Sequence, residues 1–113
     1  MKYLEATLGL HTADAEQVDV RFKDGDLHLS FVDWQERPRS ALFRDVIAFR
    51  WQELDDPVPR GDSTFEAVGS PWLERQARLQ GLRTEDYVHY VLCFNACGVL
   101  DVIAKRIPVG DVV

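Results

Sequence analysis

Apolar and polar residues alternate with period two over Val18-Asp19-Val20-Arg21-Phe22-Lys23, and again over Asp26-Leu27-His28-Leu29-Ser30-Phe31. Strands with one buried and one wet face read this way. Between the two runs, Asp24-Gly25 is a preferred pair for a two-residue type I′ loop, where both positions need positive φ. Closing the chain there sets Lys23 opposite Asp26, Phe22 opposite Leu27, Arg21 opposite His28, Val20 opposite Leu29, Asp19 opposite Ser30 and Val18 opposite Phe31. Apolar then meets apolar on one face, and the other face is left to water.

A second hairpin is predicted in Tyr87 to Phe94 and Val99 to Ile107, around Asn95-Ala96-Cys97-Gly98. Two registers compete. A four-residue loop puts Leu92 opposite Asp101. A type I turn ending in Gly98 as a bulge instead pairs Phe94 with Leu100, Leu92 with Val102 and Tyr90 with Ala104. We choose the second, because it keeps the apolar face continuous and puts Gly where φ is positive. The opposite face, Tyr87, His89, Val91, Cys93, Val99 and Ile103, is also largely apolar, so both strands should be central and covered on two sides. Further strand material lies in Lys2 to Leu10, in Ala41 to Trp51 with Asp45 as the one discordant residue, and in Ser63 to Val68.

One helix is well signalled: Ser70 as N-cap, Pro71 at the first helical position and Gly81 just past the end. Leu79, Trp72, Leu73 and Ala77 fall within an arc of roughly 160° at helical spacing, with Glu74, Arg75 and Arg78 outside it. Glu53 to Asp62, with two prolines and a glycine, reads as a surface loop. The expectation is one α+β domain spanning residues 1 to 113, an antiparallel sheet of about six strands including two hairpins, with one amphipathic helix packed on it.

Composition narrows the function classes. At 46% hydrophobic and 11% aromatic the chain has ample core material, and no apolar run approaches the roughly 20 residues needed to cross a bilayer. No basic-then-apolar leader opens the chain, so a cytoplasmic, unexported protein with no membrane partner is expected. Net charge is −6, and residues 1 to 36 hold eight acids against three bases. No basic stripe exists to displace counterions from phosphates, so no nucleic-acid partner is expected. The two cysteines, Cys93 and Cys97, are too few for a disulfide framework and are expected as reduced thiols.

Candidate chemistry is sparse. His89, Cys93, Cys97 and Asp101 recur every four residues, but on strands only His89 and Cys93 share a face, with Cys97 in the turn and Asp101 across from Cys93, so no metal is expected. Gly69-Ser70 lacks the G-x-S-x-G pattern of a strained nucleophile turn, and Ser70 is accounted for as a cap. His11, His28 and His89 are expected on three separate strands, and the sequence does not show them converging. Asp55 and Asp56 sit in a loop that would hold a carboxylate pair poorly for acid/base work. No phosphate loop, dinucleotide fingerprint or other cofactor motif is present, and no cofactor is expected. Trp34, in Asp33 to Arg39, and Trp51, beside the long loop, are candidate partner anchors if exposed.

Phe65-Glu66-Ala67-Val68-Gly69-Ser70-Pro71-Trp72-Leu73, then His89-Tyr90-Val91-Leu92-Cys93-Phe94-Asn95, then Leu100-Asp101-Val102-Ile103-Ala104, together resemble a set of small bacterial proteins. These share a Ser-x-Trp-Leu helix start, an H-Y-x-[VIL]-x-F strand and a D-V-[IL]-A strand, and some resemble immunity proteins of polymorphic or contact-dependent toxin systems. The chain departs from them at Ala96-Cys97, where they carry an acidic turn. The resemblance implies a non-catalytic protein that binds and masks a toxin domain. The candidate partner-binding residues are Trp34, Asp19, Asp24, Asp26, Trp51, Asp55 and Asp56. The alternative is a small-molecule-binding or hydrolytic domain whose pocket lies between sheet and helix, with His89, Tyr90 and Asp101 as its polar groups.

Overall fold

The computed structural model describes residues 1–6, 8, 10–12, 14–53, 64–94 and 98–107. Among these, eight strands form two antiparallel sheets and one α-helix is present. The larger sheet has the order β1 (Lys2–Glu5), β6 (Thr64–Val68), β7 (Val88–Phe94), β8 (Gly98–Ala104), β5 (Ala48–Gln52). The smaller is a meander of β2 (Glu16–Lys23), β3 (Asp26–Val32) and β4 (Pro38–Phe43). The α+β class stands, with eight strands in place of about six and two sheets in place of one. No helix among the described residues is long and apolar enough to cross a membrane.

The first hairpin forms as its alternation predicts. Asp24 and Gly25 take φ of +54° and +83°, and the pairs from Lys23–Asp26 back to Asp19–Ser30 are all present. The expected pairing of Val18 with Phe31 is not made. Gln17 turns to φ +54°, the register slips between Glu16 and Asp19, and Glu16 comes to lie opposite Val32. This is a bulge, one extra residue on the edge strand.

Leu27, Leu29 and Phe31 of β3 and Ala41 and Phe43 of β4 face Tyr90, Leu92, Phe94, Leu100, Val102 and Ala104 of the larger sheet. Rings interlock between the layers: Phe31 meets Phe94 edge-on at 5.6 Å, and Phe43 lies 5.5 Å from Tyr90. The Tyr90 hydroxyl, deep in this core, accepts the Ile107 N–H at 2.9 Å. Burial pushes its pKa up, while that hydrogen bond and Arg106 pull it down.

Three expectations are corrected by the fold. The strand material from Ala41 to Trp51 is two strands in different sheets. Asp45, the discordant residue, takes φ +51°, and the crossover is tied to both layers by Val46 N–H to Gly25 O (2.7 Å) and Ile47 N–H to Ile103 O (2.9 Å). The first strand ends at Glu5, short of Leu10, although Leu10 does enter the core. The second hairpin pairs Phe94 with Gly98, Leu92 with Leu100 and Tyr90 with Val102, two residues away from the chosen register. The expected turn residues Asn95, Ala96 and Cys97 lie outside the described residues. An even shift keeps every side chain on its expected face, so β7 and β8 are buried on both sides almost throughout.

The helix α1 (Pro71–Leu79) begins at its predicted cap, with Ser70 Oγ accepting the Leu73 N–H at 3.2 Å, and ends before Gly81 at φ +68°. Ala77 is fully buried. Leu79, expected on the same face, is 73% exposed. Two residues along a helix is a rotation of about 200°, which leaves Leu79 nearly opposite Ala77 and at the limit of the predicted arc.

Candidate functional site

The outer face of the larger sheet carries one buried polar constellation. His89 on β7 and Asp101 on β8 share that face, and Asp101 pairs with Val91, one step from His89, not with Cys93 as the expected register had it. His89 Nε2 lies 2.7 Å from Asp101 Oδ1, and His89 Nδ1 lies 2.7 Å from Ser70 Oγ. All three residues are buried. A carboxylate only accepts, so Nε2 carries a proton; in the neutral ring Nδ1 then accepts from the Ser70 hydroxyl. That hydroxyl oxygen accepts in turn from Leu73 N–H, so every partner in the chain is satisfied.

Arg50, opposite Asp101 on β5, donates from Nε to Asp101 Oδ2 at 3.2 Å. Its guanidinium lies 4.3 Å from the centre of the Trp72 ring, and Trp72 meets the His89 ring edge-on at 5.0 Å. Ser70, His89, Asp101, Arg50 and Trp72 thus close a ring of contacts joining α1, β7, β8 and β5. Beside it opens a cavity of about 330 Å³, lined among others by Tyr3, Gln52 and Arg75. Burial and the negative Asp101 push the Tyr3 hydroxyl above its usual pKa, with Arg50 opposing, so it stays a neutral donor.

Serine, histidine and aspartate in hydrogen-bonded order have the connectivity of a nucleophile, its base and the base's orienting carboxylate. Three features differ from the acyl-transfer sites of G-x-S-x-G hydrolases. Ser70 has ordinary extended backbone angles, φ −71° and ψ 116°, in place of a strained turn. Its Oγ is engaged as the helix cap. The following residue is Pro71, which has no N–H to stabilise an oxyanion where hydrolases of the G-x-S-x-G type place one. Tyr90, expected to join His89 and Asp101 as a polar group of the pocket, points through the sheet into the opposite core.

The sequence-derived partner residues are not gathered into one patch. Asp24 and Asp26 stand at the β2–β3 turn, and exposed Trp34 stands beyond the far end of β3, about 20 Å away at the rise of a strand. Asp19 is on the outer face of the smaller sheet, paired with Arg21. Trp51 lies on β5 against Phe94 at 5.8 Å and is 39% exposed. Asp55 and Asp56 lie outside the described residues.

What the structure does bring together was missed at the sequence level. Phe22, expected in the core opposite Leu27, is 50% exposed because β2 is an edge strand. Its ring packs 5.2 Å from that of Phe49, itself 42% exposed on β5, the edge of the other sheet. Phe22, Phe49 and Trp51 therefore line one flank of the sandwich, with Asp24 and Asp26 at its end. A shallow groove of about 510 Å³ continues from this pair past Ile47 to Trp72 and Gln76. Surface aromatic clusters of this kind are the unusual part of a small protein's exterior.

Trp34 is held by a tight turn. Asp33 Oδ1 accepts the N–H groups of Gln35 and Arg37, each at 2.9 Å, and its Oδ2 accepts Arg37 Nε at 3.3 Å. Burial raises the Asp33 pKa, but these hydrogen bonds and the Arg37 charge outweigh it and hold the carboxyl below its usual value of 3.8. A carboxyl lowered on folding stabilises the native state above its unfolded pKa, and that stability is lost as pH falls through the folded value. Asp33→Asn should therefore lower stability at pH 7 and flatten its decline below pH 4. Chemical denaturation at a series of pH values checks this, and parallel curves for the two proteins would contradict it.

Comparison with protein-family models, with curated proteins and with solved structures finds no match to this chain.

Proposed function

We propose that the chain is a non-catalytic, protein-binding protein that acts in the bacterial cytoplasm, and that its recognition surface is the flank formed by Phe22, Phe49 and Trp51. One observation carries this reading: three aromatic rings, 39 to 50% exposed, lie beside two strand edges that no other described strand pairs. Aromatic side chains supply most interface affinity, and an open strand edge offers backbone hydrogen bonds to an added strand. Asp24 and Asp26 at the end of the flank, in a chain of net charge −6, favour a partner with a basic surface. The resemblance to immunity proteins makes that partner a toxin domain.

A toxin reading frame directly upstream would favour this reading, and the test is then calorimetric titration with the domain it encodes. Phe22→Ser combined with Phe49→Ser should weaken binding about a hundredfold or more while leaving the far-UV spectrum unchanged. Asp24→Lys with Asp26→Lys should act mainly on the association rate and reduce its salt dependence. Affinity unchanged in the folded aromatic variant would remove the flank from consideration.

A second reading, hydrolysis at Ser70, is favoured by the hydrogen-bonded order of Ser70, His89 and Asp101 alone. A fluorophosphonate probe separates the two. Stoichiometric labelling of Ser70 would favour the hydrolase, and no labelling would favour binding alone.

A further inference from the structure

The cavity at the head of α1 brings together polar groups that the aromatic flank lacks. Arg50 spends Nε on Asp101 and sets its Cζ 4.3 Å from the centre of the Trp72 ring, and its two terminal nitrogens make no hydrogen bond among the described residues. Arg75, midway along α1, lines the same cavity and makes no ion pair among the described residues. The wall thus holds two guanidinium groups against the single carboxylate of Asp101, within a chain whose net charge is −6. Tyr3 and Gln52 add neutral hydrogen-bonding groups.

A guanidinium is planar, and one fixed at Nε and held over an aromatic ring presents its outer donors in a restricted set of directions. Such a fork matches the two oxygens of a carboxylate or a phosphate. Arg50 is held in this way from two sides: Asp101 is locked by His89, and His89 by Ser70. The buried Ser70–His89–Asp101 chain then acts as the support that orients a binding arginine. A supporting role accounts for a serine, histidine and aspartate in this order without an oxyanion donor.

We propose that this cavity binds a small molecule bearing an oxyanion, held by the terminal nitrogens of Arg50 and by Arg75, with Tyr3 and Gln52 completing the site. A volume of about 330 Å³ suits a metabolite-sized ligand and not a folded partner. The cavity shares Arg50 and Trp72 with the groove that runs from the flank, whereas Tyr3, Gln52 and Arg75 line the cavity and not the groove, so a variant at Arg75 tests it separately from the flank.

Nitrogen–proton correlation spectra recorded during titration with inorganic phosphate, and separately with citrate, test the proposal, with sodium chloride at matched ionic strength as the control. The expected result is saturable movement of the Arg50 Nε–H and the Trp72 indole N–H for at least one oxyanion and none for chloride. Phosphate acting alone assigns a phosphate-bearing ligand, and citrate acting alone assigns a carboxylate. Arg75→Gln should weaken binding about tenfold with an unchanged melting temperature. Arg50→Lys, which keeps charge but loses the planar fork, should do the same; if it fails to fold, the exposed Arg75 decides alone. Movement reproduced by chloride, no saturable movement with either oxyanion, or undiminished affinity in Arg75→Gln would overturn the proposal.

Discussion

Asp101→Ala is expected to destabilise the protein by about 3–5 kcal/mol, among the largest effects of any single substitution outside the apolar core. Asp101 is 5% exposed and accepts from both His89 Nε2 and Arg50 Nε. Deleting it strands an imidazole N–H at a buried position and leaves a guanidinium beside the sheet without its counter-charge. Buried donors that lose their acceptor cost the full desolvation of the group, which exceeds what the intact bond contributes. Asp101→Asn should recover part of the loss, since its amide oxygen satisfies one donor while its amide nitrogen faces the other. Ser70→Ala should cost less, about 1–2 kcal/mol, for the cap and one neutral hydrogen bond. Urea denaturation at pH 7, read with m-values to exclude a changed unfolded state, gives the ranking. A stability for Asp101→Ala within about 0.5 kcal/mol of the parent protein would mean that the ring of contacts does not hold α1 to the sheet.

Gly98→Ala is expected to cost about 3 kcal/mol or more, from two sources that add. Gly98 sits at φ +144°, where a side chain is strained. A Cβ there would also stand 2.5 Å from the Gln52 carbonyl oxygen and 3.2 Å from Trp51 Cε2. The nearer atom is backbone, so relief requires β5 itself to move away from β8. Beyond the lost stability, the substitution should raise amide exchange along Ala48–Gln52 while leaving the β2–β3 hairpin protected, because the clash touches one edge of one sheet. Uniform acceleration across both sheets would contradict a local origin. Normal stability would show that β5 approaches β8 less closely than 2.5 Å implies.

How much of the chain is legible in its sequence depends on how far apart the partners lie. The β2–β3 hairpin is legible to the residue because Asp24-Gly25 and the alternation around it are local. The one error there, at Val18, comes from an edge strand free to bulge at Gln17. In β7–β8 the alternation fixes which face each residue occupies but not the register, since a two-residue slide preserves every face. The observed register places Gly98 where β5 passes closest, a requirement set by Gln52, 46 positions earlier in the chain. Phe22 is misplaced for a similar reason: period two says which side of its own sheet a residue faces, not whether the second sheet extends far enough to cover it.

The polar constellation is only half legible. Ser70 reads as a cap and is one, and its second hydrogen bond depends on where the helix lands. A signal for the rest is nevertheless present. Asp101 is the lone charge in Val99-Leu100-Asp101-Val102-Ile103-Ala104, and His89 is the lone ionisable residue between Val88 and Cys93 apart from Tyr90. Two strands predicted to be covered on both faces cannot bury a carboxylate without a partner. Following that rule along the two strands pairs His89 with Asp101, and only Arg50 and Trp72 remain out of reach.

The two layers of the sandwich set different demands on the time order of folding. In β2-β3-β4 each strand pairs with its neighbour in the chain across a short turn, so this layer can assemble while the rest is still a coil. The larger sheet has only the β6–β7 and β7–β8 contacts between consecutive strands. Its outer strands are recruited from afar, β1 onto β6 with Lys2 opposite Val68 and β5 onto β8 with Arg50 opposite Asp101. Emerging from a ribosome, the chain therefore exposes a finished meander whose apolar face, Leu27, Leu29, Phe31 and Phe43, has no second layer until β7 and β8 have been synthesised. During that interval the nascent chain carries an uncovered sheet, the species most prone to join a neighbour like itself. Among the described strands β8, held between β7 and β5, comes last in chain order, so its synthesis completes both the core and the cover for what came before.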